Sequence, residues 1–460
     1  MSIVHSKASQ DRLGEREPGL EAFVAWAKGH VQPLPRVTSE ADLSVLGEMV
    51  GDATVVSLSE AVHGAAEPLE FRNRAIEYLV EKKGFTAIAI ESGTVEGHHA
   101  YEYVRGGAGD LDTVVAEGLS WTFDQLPQNR ELICWLRQFN ASSRRLRQVH
   151  FYGFDVPGSP GETRARRGLG IALSEALRFL GQVDAPAQSA FLARLGHLLR
   201  HIHFDLCATD KAETYEKLNT DQRDRLTAII ADLITLFERR AHQYSELTSS
   251  DRYAWAYRAA IGARQADAWL REIPSGWRPT SPPAPFPSPE TQFLAAATEV
   301  RDRAQADNLE WILDQEGSAG KLIVFGHRYH VSSAPVRATW SGMRPQAVMG
   351  VHLRRHLGRR LVTVGSLVSQ GEINGEGFLQ TVNRAGSERL DGIVGTLGPD
   401  HLLLDLRQAP PAVARWLERE RSLAEVPLGE KQDSIAVPVS RAFDVLHFIR
   451  NVTPARRDPS

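Results

Sequence analysis

Four short runs of the chain are apolar without alternation and rich in β-branched or aromatic residues: Thr54–Leu58, Thr86–Ile90, Val149–Phe154 and Leu322–Phe325. A strand buried on both faces has no polar side to show, so such runs predict parallel strands inside a covered sheet. Leu361–Val364 predicts a fifth strand, behind a helix over His352–Arg360, and Leu402–Leu404 a sixth. Helical periodicity over Pro68–Lys83 and Asn129–Phe139 separates the first three runs. Strand, helix, strand in repetition is the order of an α/β fold with right-handed crossovers. From about residue 160 to 320 the pattern turns helical, over Gly168–Leu180, Ala185–Leu199, Ala212–Glu238, Asp251–Arg271 and Pro289–Gln315. The tract Pro279–Pro289 is too proline-rich for a helix or a central strand. A helical insertion in the strand order, walling a substrate cleft, is the expectation.

Each strand runs out into polar residues. The first leads into Ser59-Glu60-Ala61-Val62-His63-Gly64, the second into Glu91-Ser92-Gly93, the third into Asp155, and the fourth into Gly326-His327-Arg328-Tyr329-His330. In open parallel sheets ligands bind beyond the carboxyl ends of the strands. Glu60, His63, Glu91, Asp155 and His327 are therefore expected at one edge, although they are remote along the chain. Plainer readings stand beside this one. Glu60 would serve as a helix-terminal acid, His63 as a structural histidine, and Asp155, ahead of Pro157-Gly158, as a turn acid. His327 and His330 share a face if the segment is helical, but a lone His pair is a weak metal signal.

Arg72 is sharper. On the helix beginning near Pro68, Leu69, Ala75, Ile76, Leu79 and Val80 fill one arc with Arg72 in its middle, while Glu70, Arg74, Glu77 and Glu81 turn away. A guanidinium on a core-facing stripe is costly unless paired. Glu60 and Glu91 are the expected partners, at the floor of an active-site cleft. Glu91, after the apolar Ala87–Ile90, needs such a cation in turn.

Composition narrows the chemistry. Lys and Arg number 53 against 57 Asp and Glu, a net charge of −4, so a basic nucleic-acid-binding surface is not expected and the Arg144–Arg145, Arg354–Arg355 and Arg359–Arg360 pairs read as solvated faces. Two cysteines, Cys134 and Cys207, exclude a disulfide framework. No run is long and apolar enough for a membrane span, and the start, Met1–Glu17, lacks a secretory pattern. A cytoplasmic enzyme of small molecules, contacting neither membrane nor nucleic acid, is expected. The chain contains no G-x-S-x-G elbow, no phosphate-binding loop and no dinucleotide fingerprint. Cys134 reads as a core thiol. Without a nucleophile, histidine with carboxylates and arginine points to activation of water, since imidazole titrates at about 6.5.

Together, Ser59–Gly64 with Pro68–Arg72, Gly84–Thr86 with Ile90-Glu91, Phe151–Asp155, Arg301–Leu313, His327–His330 and Met349–Leu357 resemble the erythromycin esterase family, in the same order, from about residue 36 to 370. The resemblance implies a three-layer α/β core with a mostly parallel sheet, an open cleft, and a single hydrolase-type domain over 36–460, with 160–320 as its insertion. Residues 1–35 are expected as a separate segment, partly flexible and then helical. It further implies hydrolysis of a macrolide lactone ester, a route to antibiotic resistance, without metal or cofactor. His63 would be the base, oriented with its water by Glu60 and Glu91. Arg72 would hold the carboxylates, His327 would complete the catalytic set, and His330 and Asp155 would face the substrate. A metal-dependent hydrolase on the same fold and a non-catalytic small-molecule binder are the competing readings. Two features depart from the family: Ser59 stands where a glycine is usual, and the second motif reads His327-Arg328-Tyr329-His330, whose bulky central residues are expected to reshape the cleft.

Overall fold

Along the central strands, alternate residues enter two different cores, which is what a sheet covered on both faces requires. Val56, Leu58, Ile88, Ile90, Phe151, Ile323 and Phe325 pack with the helices Ala66–Lys83, Gly97–Val104 and Pro127–Ala141. Val55, Ala87, Ala89, Tyr152, Phe154, Leu322 and Val324 pack with the helices Pro289–Glu316 and Met349–Leu357. The result is a three-layer α/β sandwich, seen in a computed structural model that describes residues 18–34, 42–120, 123–142, 147–158, 168–202, 215–274, 289–338, 344–374, 379–424 and 434–456. The expected flexible start, the Arg144–Arg145 pair, Cys207 and the proline tract up to residue 288 lie outside the described residues.

In chain order the strands are β1 (Gln32–Pro33), β2 (Val55–Glu60), β3 (Ala87–Gly93), β4 (His150–Asp155), β5 (Leu322–His327), β6 (Arg337–Ala338), β7 (Leu361–Asn374), β8 (Leu379–Val382), β9 (His401–Asp405), β10 (Glu420–Ala424), β11 (Ser434–Pro438) and β12 (Val445–Val452). The large sheet runs β1-β9-β12-β7-β2-β5-β3-β4, with β8 paired to β7. From β12 to β4 every pairing is parallel, whereas β1–β9, β9–β12 and β7–β8 are antiparallel. A second sheet, β10-β11-β6, is antiparallel.

All six expected strands are present. The first, second and fourth run two or three residues further than their apolar cores, so that Glu60 and His327 pair in the ladder itself while Glu91 lies in the irregular stretch between Ile90 and Gly93. Strand β12 gave no comparable signal, because His447 interrupts its apolar run and Arg450 and Asn451 close it. The helices Gly168–Val183, Ala185–Leu195, Thr220–Leu247 and Ser250–Glu272 share a core of their own, around Leu173, Leu177, Ile230 and Phe237. The helix Pro289–Glu316 differs: Ala306, Leu309 and Ile312 set it on the sheet as part of the outer layer. Among the described residues no helix is long and apolar enough to cross a membrane.

Ile323, fully buried on central β5, tests this packing. Ile323→Ala should cost about 2–5 kcal/mol in urea denaturation.

Candidate active site

Strands β2, β5, β3 and β4 are neighbours and parallel, so their carboxyl ends share one edge. Glu60 and His327 are direct register partners there, and β3 passes its own acid, Glu91, to the same edge. Register alone brings together groups hundreds of residues apart.

Beyond β2 the chain turns and presents His63. Its Nδ1 lies 2.7 Å from Oε1 of Glu60, a carboxylate that is itself buried, while the His63 side chain is 54 % exposed. Gly64 holds this turn at φ 78°, and a Cβ there would collide with the Asn374 carbonyl oxygen. The Gly64 carbonyl in turn accepts the amides of Asn374 and Ala455, at 3.0 and 2.9 Å. The His327 ring stands beside His63, with centroids 4.9 Å apart. His327 Nε2 lies 3.1 Å from the Ala61 carbonyl oxygen, and Nδ1 accepts the Tyr329 amide at 3.3 Å, which fixes the Nε2–H tautomer.

Beneath these rings lies a buried charge cluster. Glu91 Oε2 accepts the His327 amide at 2.8 Å, and Oε1 receives Nη2 of Arg301 at 2.7 Å. The carboxylate packs against Gly326, where a Cβ would lie 3.0 Å from Glu91 Oε2. Arg301 also grips Asp155 in a forked pair, with Nε to Oδ1 at 2.9 Å and Nη2 to Oδ2 at 2.7 Å. Its Nη1 lies 3.0 Å from His330 Nε2, and His330 Nδ1 lies 2.9 Å from Oδ1 of Asp302. Gln305 donates to Asp155, and Asn308 donates to the Phe154 carbonyl. The arginine that joins the acids is therefore Arg301, on the helix Pro289–Glu316.

The expected role of Arg72 needs correction. It is buried on the predicted face, but its guanidinium donates to Asn73 Oδ1 and Asn129 Oδ1 and stacks 4.9 Å from the Phe325 ring centroid. It forms no ion pair with Glu60 or Glu91 among the described residues. The amides arrive from its own helix and from Pro127–Ala141 before either acid reaches it, and Arg301 already occupies Glu91. The substrate-facing places given to Asp155 and His330 change too: Asp155 is fully buried and held by Arg301, and both His330 nitrogens face Arg301 and Asp302. His327 and His330 do not share a face, because the short helix starts only after His327. Arg328 turns into the core to Asp391 and the Ser366 carbonyl, each at 3.1 Å, and Tyr329 donates to Gln346. Arg328 thus anchors the turn from behind instead of filling the cleft. Cys134 is half-buried on its helix. Arg301 and Asp302 open the segment Arg301–Leu313 that carries part of the resemblance, but sequence reasoning gave neither of them a place in the site. Their signal was Arg301, Asp302, Gln305 and Asn308 at helical spacing on the same face as Leu309 and Ile312, polar groups inside a buried stripe.

Burial alone would raise the Glu91 carboxyl, but His330, Arg301, His63 and the His327 amide together hold it far below its ordinary 4.5. Burial lowers the Arg72 guanidinium to about 10 despite Glu60 nearby. For His330 burial works against the proton, yet Asp302 and Glu91 outweigh it and the pKa rises. Among the described residues no group of three or more His, Cys, Asp or Glu is arranged to hold a metal ion.

A family model described as erythromycin esterase matches residues 80–452. The chain is 23 % identical to erythromycin esterase type II of Escherichia coli over 330 residues, covering 70 % of this chain and 71 % of the relative. It is also 23 % identical to erythromycin esterase type I of Escherichia coli over 436 residues, covering 92 % of this chain and 99 % of the relative. A crystal structure of a Bacillus cereus protein superposes with a TM-score of 0.75 at 23 % identity, over 96 % of this chain and 99 % of that one, which establishes a shared fold.

Removing Arg301 would strand Glu91 and Asp155 as buried charges, so Arg301→Met should cost about 3–5 kcal/mol in urea denaturation. Because the folded pKa of Glu91 is depressed, its stabilisation is present above its ordinary 4.5 and lost as pH falls below that value. Denaturation midpoints between about pH 7 and about pH 3 should therefore fall less steeply in Glu91→Gln than in the parent.

Proposed function

This chain belongs to the erythromycin esterase family, a family of hydrolases, and we propose that it cleaves a carboxylic ester or lactone of macrolide type with water activated on His63 and no covalent intermediate. The observation that carries this reading is the Glu60–His63 pair, an exposed imidazole whose Nδ1 rests 2.7 Å from a buried carboxylate. Glu60 accepts Nδ1–H, which keeps the basic lone pair on Nε2 and stabilises the imidazolium once formed. Nε2 takes a proton from water as the water oxygen attacks the carbonyl carbon. The tetrahedral intermediate then collapses with cleavage of the C–O bond, and the proton held on His63 passes to the departing alkoxide oxygen.

His327 is assigned the oxyanion. Its Nε2–H, directed at the Ala61 carbonyl in this structure, is next to the His63 ring. Glu91 serves by holding the His327 amide, and Arg72 by placing a positive charge near Glu60 without touching it. His330 and Asp155 belong to the supporting layer. The helices between residues 160 and 320 are proposed to wall the cleft within a single domain over 36–460. A part in macrolide resistance inside the cytoplasm belongs to the same reading.

Erythromycin and a panel of simple esters, incubated with the protein and followed by mass spectrometry, provide the test. A gain of one water on any of them is expected; compounds that stay intact yet raise the melting temperature would make the protein a binder. His63→Ala and Glu60→Gln should lower kcat by about 10²–10⁴-fold with the melting temperature nearly unchanged. Full turnover in His63→Ala would remove the base.

A further inference from the structure

The buried half of the cluster holds more acid than base. Glu91, Asp155 and Asp302 surround a single guanidinium, Arg301, with His330 between them. Asp302 is fully buried, and its Oδ1 meets two donors: His330 Nδ1 at 2.9 Å and the Met349 amide at 2.8 Å. That amide opens the helix Met349–Leu357, where unpaired N–H groups favour a carboxylate. Asp302 is thus pinned between an imidazole and a helix end. On the other side of the ring, Arg301 Nη1 lies 3.0 Å from Nε2, and Glu91 Oε1 is 3.5 Å away. A guanidinium N–H cannot accept, so in the neutral ring Nε2 carries the lone pair and Nδ1 the hydrogen.

We propose that Asp302 is a positioning residue that keeps His330 protonated at Nδ1, so that Nε2, facing Arg301 and Glu91, is the only ring nitrogen that gains or loses a proton. When the ring is neutral, Nε2 accepts from Arg301. When it takes a proton, the new N–H has Glu91 Oε1 as its acceptor, while Nδ1–H stays on Asp302. Among the described residues, every charged or titratable group facing the ring fits this division. Arg301 and Asp302 come from the helix Pro289–Glu316, Glu91 from β3, and Asp155 from β4 by way of Arg301. His63 acts on Glu91 from beyond, and the Tyr329 ring covers His330 edge-on at 5.3 Å. The surrounding acids raise the affinity of the ring for its proton, in keeping with the charge imbalance.

The consequence passes through Glu91. One of its oxygens faces the His330 edge that titrates; the other holds the His327 amide. A disturbed His330 tautomer would compete for Arg301 and loosen the carboxylate that sets the His327 turn against His63. The effect on turnover rests on the esterase reading above; the tautomer itself does not.

The test uses the full chain labelled with ¹⁵N in its histidine rings, with the His330 resonances assigned by their loss in His330→Gln. Across a pH titration Nδ1 should remain protonated while the Nε2 shift alone moves by the large amount that marks protonation. In Asp302→Asn, whose Oδ1 can still take both donors, the Nε2 titration should move to lower pH; in Asp302→Leu, which offers Nδ1 no acceptor, the neutral ring should populate the Nε2–H tautomer. With erythromycin as the probe, Asp302→Leu should lower kcat by about tenfold or more with KM within about twofold. A neutral His330 found as Nε2–H in the parent protein would overturn the proposal. So would a folded Asp302→Leu with parental kcat and an unaltered His330 titration. If the parent does not turn over erythromycin, the esterase reading fails, and the ring resonances still decide the role of Asp302.

Discussion

A guanidinium buried among carboxylates holds this architecture together. Arg301 reaches from an outer-layer helix to Asp155 on β4 and to Glu91 on β3, which lies 210 residues earlier in the chain. Desolvating such charges costs several kcal/mol per ion, and only near-ideal geometry with further hydrogen bonds offsets it. The fork on Asp155, the Gln305 amide and the backbone amides of Val156 and His327 meet that demand. The next residue, Asp302, extends the link to His330 and to the helix Met349–Leu357. One helical turn therefore ties together three strand ends and two helices, and the edge of the sheet where chemistry is expected has little freedom to move.

Above this floor the electrostatics change character. Glu91 is charged, buried and far from titrating, whereas His63 is solvent-accessible and paired with one carboxylate. A rigid ionised layer can orient an imidazole without drawing off its proton, and an exposed ring can exchange that proton with water. Separating orientation from proton transfer in this way suits general-base chemistry, in which the base must titrate near the working pH while its supports must not. The two histidines of the second motif divide along the same line: His327 reaches the open side next to His63, and His330 turns inward to Asp302.

Strand runs such as Thr86–Ile90 and Leu322–Phe325 announced a doubly covered parallel sheet because burial on both faces leaves no polar alternation to blur the signal. The same logic made Glu60, Glu91, Asp155 and His327 legible, since polar residues at the ends of such runs must meet at one edge. Arg72 was correctly placed on the buried face of its helix, because amphipathic periodicity is a local property. Its partner was not legible. Which acid an arginine meets depends on the whole fold, and the neighbouring amides Asn73 and Asn129 reached it first. Arg301 escaped for the converse reason: its face of the helix carries Asp302, Gln305 and Asn308 along with Leu309 and Ile312, so the buried stripe is too polar to announce itself until the sheet packs beside it. Strand β12 shows a further limit of periodicity, because the buried His447, stacked on Phe71, breaks an otherwise apolar run.

Single turnover of erythromycin in ¹⁸O-labelled water, with both product and protein weighed by mass spectrometry, tests the central claim most directly. Direct attack by water held on His63 places the label in the carboxylate of the product and leaves the mass of the protein unchanged throughout. An acyl adduct on the protein, or label retained in Glu60 or Glu91, would mean that a side chain and not water attacks first, contradicting the account.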